Sequence, residues 1–301
     1  MDSMVNRSSI LNSDSTPKPS NNDAAEYPMT LLTIDCMVLV IGTISLSLMM
    51  HILKSSSTSI TSIAVLNLIF AHFIFLVTVP FRIYYYVTQY WSLGLGWCKV
   101  ISSMIHIHMY MSFIFYVIIL ITRIMTFHQK ADHMASYRIH ALFVSAVVWI
   151  MVLVVVPCII RFSYGKNTDK NGTVVNETAC FNFGRHIESL PAKVFNYITS
   201  TLIIVVATVL TVLQANVVRV LYRKHHQGCT IQQEFGTQLK SLCFALIMVV
   251  CFIPYHVFRL YYLENIADLQ GVNEVFLSLT TFNCLDMLTF LGRRTCLRCF
   301  S

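Results

Sequence analysis

The sequence predicts an all-helical membrane protein in which seven transmembrane helices form one bundle. Of its 301 residues, 56% are hydrophobic and only 12% are charged, whereas an average soluble domain has roughly 25% charged residues. Seven apolar stretches are long enough to cross the hydrocarbon core, for which about 20 residues suffice. They lack the short apolar–polar alternation of barrel strands, so they must be helices whose backbone groups bond internally.

The spans divide the chain into three parts. In order, they cover residues 29–53, 60–86, 99–127, 138–160, 192–221, 237–263 and 272–291. The first 28 residues are rich in Ser, Asn, Asp and Pro and lack the apolar core of a signal peptide, which predicts a disordered tail. We therefore expect an external tail over 1–28, a seven-helix domain over 29–291 and a short cytoplasmic tail over 292–301.

The distribution of charge predicts an extracellular N-terminus. Lys and Arg concentrate in the connections that this orientation puts in the cytoplasm, where the only acids are Asp132 and Glu234. N-glycosylation sequons begin at Asn6, Asn171 and Asn176, and all three fall outside in this orientation. We expect a multi-pass plasma-membrane protein whose basic rim attracts anionic lipids, with no nucleic acid partner.

Two of the ten cysteines are expected to form a disulfide. Three lie in the reducing cytoplasm and five inside helices, where a small apolar side chain is the simplest interpretation. Cys98 and Cys180 are left outside, and two external cysteines most simply pair. Cys296 and Cys299 stand beside arginines and invite palmitoylation, although two unmodified thiols fit the sequence equally well.

Arg123 is a single cation in the otherwise apolar run VIILITRIMTF. It follows Cys98 by 25 residues, or roughly 38 Å at ~1.5 Å per residue, which crosses the membrane to its cytoplasmic side. An arginine at this depth either extends its charge to the lipid head groups or has a function.

In their order and spacing, several motifs resemble those of rhodopsin-type (class A) G-protein coupled receptors. WSLGLGWC at 91–98 is similar to the first outer loop of that family, TRI at 122–124 matches Asp-Arg-Tyr only at its arginine, and Trp149 fits the tryptophan of helix four. CFIPYHVFRLYYL from Cys251 resembles the proline-kinked sixth helix of the branch that includes nucleotide and lipid receptors. CLDML from Cys284 resembles the Asp-Pro motif of helix seven without its proline.

The resemblance implies a receptor that binds an extracellular ligand between its helices and activates a heterotrimeric G protein, with no enzymatic activity. Arg123 would contact the G protein. Thr122 replaces the aspartate that pairs with this arginine in the resting state, so part of the resting lock would be missing. Because such departures concentrate in the transmission elements, a receptor that binds or scavenges its ligand without signalling is the alternative.

A ligand pocket is expected at the outer half of the sixth helix. His256 and Arg259 are three residues apart and share a helix face beyond Pro254. The resemblance places four further side chains around them: Tyr255, Tyr262, Tyr110 and His106. An arginine among aromatic rings suits an anionic, partly apolar ligand such as an acidic lipid or a phosphate ester. The alternative is that this helix end is an interfacial anchor.

His72 stands where the family carries a sodium-binding aspartate, and the resemblance places Asp286 opposite it with Ser112 nearby. An imidazole is a poor sodium ligand, so we expect no sodium site and no cofactor. Two interpretations stay open: a neutral histidine bonded within the bundle, or an imidazolium paired with Asp286, which would make activity depend on pH. His106 and His108 point to nearly opposite sides of a helix and cannot bind one metal together.

Overall fold

The computed structural model describes residues 23–53, 60–128, 143, 145–154, 180, 190–224, 229–266 and 269–290. Its helices are α1 Asp23–Leu53, α2 Ile60–Thr88, α3 Leu95–His128, α4 Ser145–Val154, α5 Leu190–Lys224, α6 Cys229–Tyr262 and α7 Gln270–Leu279, which continues as a 3-10 helix over Thr280–Phe290. No strand occurs among these residues. The predicted all-helical fold class is confirmed, and α1, α2, α3, α5 and α6 are each long and apolar enough to cross a membrane.

The long helices bury one face and expose an apolar face. On α5, Ile203 and Ala207 are buried, whereas Leu202, Val205 and Val209 are at least half exposed. Contact with lipid tails carries no penalty for such side chains, since the tails are as apolar as leucine. The exposed apolar face therefore fits a helix that spans a membrane.

The central helix of the bundle is α3, which packs against α2, α5, α6 and the 3-10 helix. The described turns of α4 are fixed to α2 by one amide: Asn67 Nδ2 donates to Ser145 Oγ at 3.0 Å, and Trp149 Nε1 donates to Asn67 Oδ1 at 2.8 Å. The indole N–H of Trp149 therefore has a polar partner on a neighbouring helix, and both side chains are half-buried.

The predicted disulfide between Cys98 and Cys180 is confirmed, with the two Cα atoms 5.7 Å apart. It packs against Trp91 and Ile101 at the N-terminal end of α3. Gly94, with φ of 81°, adopts a backbone conformation that favours glycine, and its carbonyl accepts a hydrogen bond from Trp91 Nε1 at 2.8 Å. This turn leads the chain into α3 and so positions Cys98.

Two predicted boundaries are wrong. α1 begins at Asp23, so residues 23–28 are helical and do not belong to a disordered tail. α6 begins at Cys229, eight residues before the predicted span over 237–263, and only residues 225–228 separate it from α5. Hydropathy marks where a helix leaves the hydrocarbon, but lengthening an existing helix needs no new nucleation, so the helices continue into polar sequence.

The seventh span changes its winding at Thr280. The hydroxyls of Thr280 and Thr281 donate to the carbonyls of Leu277 and Ser278 at 2.6 Å each. Such side-chain bonds compete with the regular helical pattern, and the chain continues as a 3-10 helix. Because a 3-10 helix has three residues per turn, Asn283 and Asp286 lie on the same side of it.

Candidate functional site

Arg123 is half-buried near the C-terminal end of α3, the end opposite the disulfide. Within the described ranges its guanidinium forms no ion pair, and the acid whose charge acts on it is Glu234 of α6. Its neighbour Thr122 accepts a hydrogen bond at its carbonyl from Thr126 Oγ1 at 2.8 Å. Thr122 therefore lies beside Arg123 without offering it a charge.

Two buried glutamines link α3, α5 and α6 at the end of the bundle that contains Arg123. Gln238 Nε2 donates to Glu234 Oε1 at 2.8 Å and to the carbonyl of Arg123 at 3.4 Å. Gln214 Nε2 of α5 donates to Gln238 Oε1 at 2.9 Å. Sequence reasoning missed this network, although Glu234 and Gln238 are four residues apart and therefore share a helix face.

Arg259 is the charged residue of the predicted pocket and is only 7% exposed. Its Nε and Nη2 donate to Asn196 Oδ1 of α5 at 3.1 and 2.9 Å, and its Nη1 donates to Asn273 Oδ1 of α7 at 3.3 Å. The guanidinium carbon lies 5.7 Å from the ring centres of both Tyr255 and Tyr262. All these partners are neutral, and no acid in the described residues forms an ion pair with Arg259.

The other predicted pocket residues lie around this arginine. His256 is buried, with Nδ1 3.2 Å from Ser200 Oγ, and its ring contacts that of Tyr255. His106 and Tyr110 are within electrostatic range of Arg259. The structure thus brings the six predicted residues to one region, whereas Asn196, Asn273 and Ser200 were not predicted because neutral polar residues give no signal in a single sequence.

A second buried arginine, Arg82 of α2, was not predicted as a site residue. Its Nε donates to Asp35 Oδ2 of α1 at 3.1 Å, and its Nη2 donates to Ser278 Oγ of α7 at 3.0 Å. Arg82 and Asp35 are 3% and 0% exposed. The charge of Arg82 is therefore offset by an acid inside the bundle, in contrast to that of Arg259.

The predicted contact between His72 and Asp286 is part of a longer buried chain of polar groups. His72 Nδ1 lies 2.7 Å from His108 Nε2, and His72 Nε2 lies 3.5 Å from Asp286 Oδ1. The hydroxyl of Tyr116 donates to Asp286 Oδ2 at 2.5 Å. We call His72, His108, Asp286 and Tyr116 the core polar chain. Ser112 lies between His108 and Tyr116 in the sequence of α3. Its side chain is buried, and its hydroxyl has no hydrogen-bond partner among the described residues.

These residues do not fit a sodium ion. A hard cation takes several oxygen ligands, but the group opposite Asp286 is an imidazole, and one carboxylate oxygen already accepts the Tyr116 hydroxyl. His72 Nε2 faces the carboxylate of Asp286 at the place where a cation would lie, so the geometry also disfavours sodium.

Five predicted modification sites lie outside the described residues. They are the sequon residues Asn6, Asn171 and Asn176 and the cytoplasmic cysteines Cys296 and Cys299. Glycosylation and palmitoylation at these positions stay predictions.

The described residues form a disulfide-tied bundle of long apolar helices, with the buried Arg259 and the half-buried Arg123 at opposite ends. The profile of the family described as "7 transmembrane receptor (rhodopsin family)" matches residues 43–287. The chain belongs to this family, whose members are signalling receptors of the plasma membrane and not enzymes.

Three relatives illustrate the similarity. The chain is 36% identical over 283 residues to "Probable G-protein coupled receptor 141" of Homo sapiens, covering 90% of this chain and 91% of the relative. It is 22% identical to "Probable G-protein coupled receptor 34" of Pan troglodytes, covering 86% and 71%. It is 28% identical to "G-protein coupled receptor 171" of Bos taurus, covering 79% and 73%. The predicted family is confirmed, and it implies an extracellular ligand and a G protein as partners.

Proposed function

We propose that this protein is a plasma-membrane receptor whose ligand carries an anionic group that binds Arg259, and that ligand binding activates a heterotrimeric G protein through Arg123. Its N-terminus is extracellular. The observation that carries the ligand class is the uncompensated charge of Arg259, which is 7% exposed and contacts only neutral groups in the described part of the chain.

The energetic argument concerns the cost of burying that charge. Removing a guanidinium from water costs several kcal/mol in proteins, and amide oxygens and tyrosine rings return only part of that solvation. The charge of the other buried arginine, Arg82, is offset within the protein by its ion pair with Asp35. Arg259 has no such acid in the described residues, so an anionic ligand would complete its environment.

The surroundings of Arg259 indicate that the rest of the ligand is partly apolar. Tyr255 and Tyr262 flank the guanidinium, and Phe258 stacks on Phe276 with ring centres 4.5 Å apart. An aromatic site in which polar groups such as Asn196 and Asn273 hold the charged side chain is typical of small-molecule pockets. An acidic lipid or a lipophilic phosphate ester combines both properties.

The glutamine contacts at the cytoplasmic end support the coupling role of Arg123. Gln238 connects α6 to the backbone of Arg123 and, through Gln214, to α5. Outward movement of α6 would break these neutral bonds, each worth about 0.5–1.5 kcal/mol. The same movement would take Glu234 away from Arg123 and expose the guanidinium to a G protein.

The ligand class is tested by thermal stabilisation of the full-length protein in lipid nanodiscs. The probes are oleic acid, an oleoyl lysophospholipid with a terminal phosphate, and monooleoylglycerol as the neutral control. We expect the two anions to stabilise the wild type and Arg259→Gln to bind them roughly 10- to 150-fold more weakly, since hydrogen bonds to charged groups are worth about 1.5–3 kcal/mol. Lys193→Gln, which removes another cation from the outer part of α5, is the matched control and should bind like the wild type.

Two results would contradict this ligand class: equal stabilisation by the neutral lipid, or unchanged affinity in Arg259→Gln. Anion binding without G-protein activation would instead favour a receptor that binds without signalling. The observation behind that second function is Thr122, which leaves Arg123 without the neighbouring carboxylate found in the family pattern.

A further inference from the structure

We propose that the core polar chain is a proton-binding site that replaces the cation site of the family, with one proton shared by His72 and His108 offsetting the charge of Asp286. The inference concerns a different part of the bundle from Arg259 and does not depend on the identity of the ligand. It extends the predicted pair of His72 and Asp286 by a third residue, His108, which contacts His72.

The two ring nitrogens of His72 contact different residues. Nδ1 lies 2.7 Å from His108 Nε2, and Nε2 lies 3.5 Å from Asp286 Oδ1. A single metal ion cannot bind both nitrogens of one ring, because their lone pairs diverge. A tetrahedral ion with bonds of about 2.0–2.1 Å would also hold two ligand nitrogens roughly 3.3 Å apart. The 2.7 Å separation instead suits a shared proton.

Counting protons gives two states of the site. Without the additional proton, His108 Nε2–H donates to His72 Nδ1, His72 Nε2–H faces Asp286, and the site carries one negative charge. When a proton arrives at His108 Nδ1, the proton of His108 Nε2 moves to His72 Nδ1. His72 is then an imidazolium between His108 and Asp286, and the site is neutral.

Burial favours the neutral state. His72, His108, Asp286 and Tyr116 are at most 2% exposed, and an uncompensated charge in such a place is costly. The titratable groups that face the site are His72 from α2, His108 and Tyr116 from α3, Cys251 from α6, and Asp286 and Cys284 from the 3-10 helix. α1 contributes Ser45, whose hydroxyl donates to the carbonyl of Cys284 at 3.2 Å.

His108 also borders a small cleft between α2, α3 and α4. The cleft has about 10 Å³ of space, and its lining is mostly apolar and includes Phe75 and Trp149. Phe75 stacks on His108 with ring centres 4.2 Å apart. The Nδ1 atom of His108 has no hydrogen-bond partner in the described part of the chain, so it is available for the incoming proton.

The test uses the full-length protein with ring-¹⁵N-labelled histidine in lipid bilayers, observed by solid-state NMR between pH 5 and pH 8, without ligand or G protein. We expect one coupled histidine pair whose signals change from neutral imidazole to imidazolium as the pH falls. These signals should disappear in His72→Asn. The control variant His51→Gln, which removes an exposed histidine at the end of α1, should leave them unchanged.

One variant of the carboxylate and one of its tyrosine partner should shift the proton affinity of the histidine pair in opposite directions. Asp286→Asn removes the negative charge, so the pair should bind its proton at least roughly tenfold more weakly. Tyr116→Phe removes the hydroxyl that stabilises the carboxylate, so the pair should bind its proton more tightly. A role in packing alone would not produce opposite shifts.

The proposal is overturned if no signal lost in His72→Asn titrates in this range, or if the titration is the same in Asp286→Asn. If Asp286→Asn does not fold, Tyr116→Phe decides: an unchanged or weaker proton affinity overturns the proposal. Exchange of sodium for potassium is expected to leave the histidine spectrum unchanged in the protonated state. A sodium-specific shift of the same signals would show that a cation still binds, contrary to the proposal.

Discussion

The buried ion pair between Arg82 and Asp35 allows a stability prediction that can be worked from the structure. Asp35→Asn leaves the Arg82 guanidinium, 3% exposed, without the acid that bonds it directly, so that Glu274 is the remaining acid whose charge acts on it. Breaking one side of a buried pair typically costs about 3–5 kcal/mol, whereas replacing both partners by apolar residues is often neutral or stabilising. We therefore expect Asp35→Asn and Arg82→Met each to lower the free energy of unfolding by about that amount, and Asp35→Leu with Arg82→Met to restore most of it.

The assay is the apparent melting temperature of the purified protein in one detergent, followed by a thiol-reactive dye or by loss of monodisperse protein on size-exclusion chromatography. At about 2 °C per kcal/mol for a chain of this size, the single variants should melt roughly 6–10 °C below the wild type. Cell-surface levels should fall in the same order. The double variant serves as the control, because it removes both charges of the ion pair together.

Single variants that melt within 1 °C of the wild type would refute the reasoning, since the pair would then contribute nothing. A double variant as unstable as either single variant would also refute it. In that case the hydrogen bond from Arg82 to Ser278, and the packing of both side chains, would matter more than charge compensation.

Three further predictions concern other contacts. Cys98→Ser and Cys180→Ser should each cost about 2–5 kcal/mol, with no further loss in the double variant, because they remove the same disulfide; thermal melts of the three variants check this. Trp149→Phe should cost about 0.5–1.5 kcal/mol, because it removes the half-buried hydrogen bond to Asn67 Oδ1, and a melt within error of wild type would contradict it. Gln238→Ala should raise basal signalling by weakening the contact of α6 with α3, as measured by nucleotide exchange on G proteins at matched surface levels.

The sequence was sufficient for the features that depend on composition and chain order. Hydropathy gave the five long spans of α1, α2, α3, α5 and α6, and the compartments of the cysteines gave the pair Cys98 and Cys180, which the structure joins. The position of Arg123 at the inner end of α3 followed from its distance along the helix. Hydropathy was less informative at helix ends, since α1 and α6 continue into polar sequence beyond the predicted spans.

Contacts between helices could not be read from the sequence, because they depend on the rotation of each helix about its axis. Asp35 and Arg82 are 47 residues apart, and neither position alone shows that they face each other. His108 was compared only with His106, its neighbour in sequence, whereas its partner His72 lies on another helix. One local signal was available: His108, Ser112 and Tyr116 recur every four residues and so form one stripe on α3.

The central claim, that this receptor couples to G proteins through Arg123, is tested most directly by basal G-protein activation in cells that express the full chain. The wild type is compared across G-protein subtypes with Arg123→Ala and with Arg219→Ala, a control that removes an exposed arginine from the cytoplasmic half of α5. Because Thr122 cannot hold Arg123 in a resting ion pair, we predict basal activity in the wild type and in Arg219→Ala, and its loss in Arg123→Ala at equal surface levels. Equal activity in the wild type and Arg123→Ala, or none above cells that lack the receptor, would contradict the account.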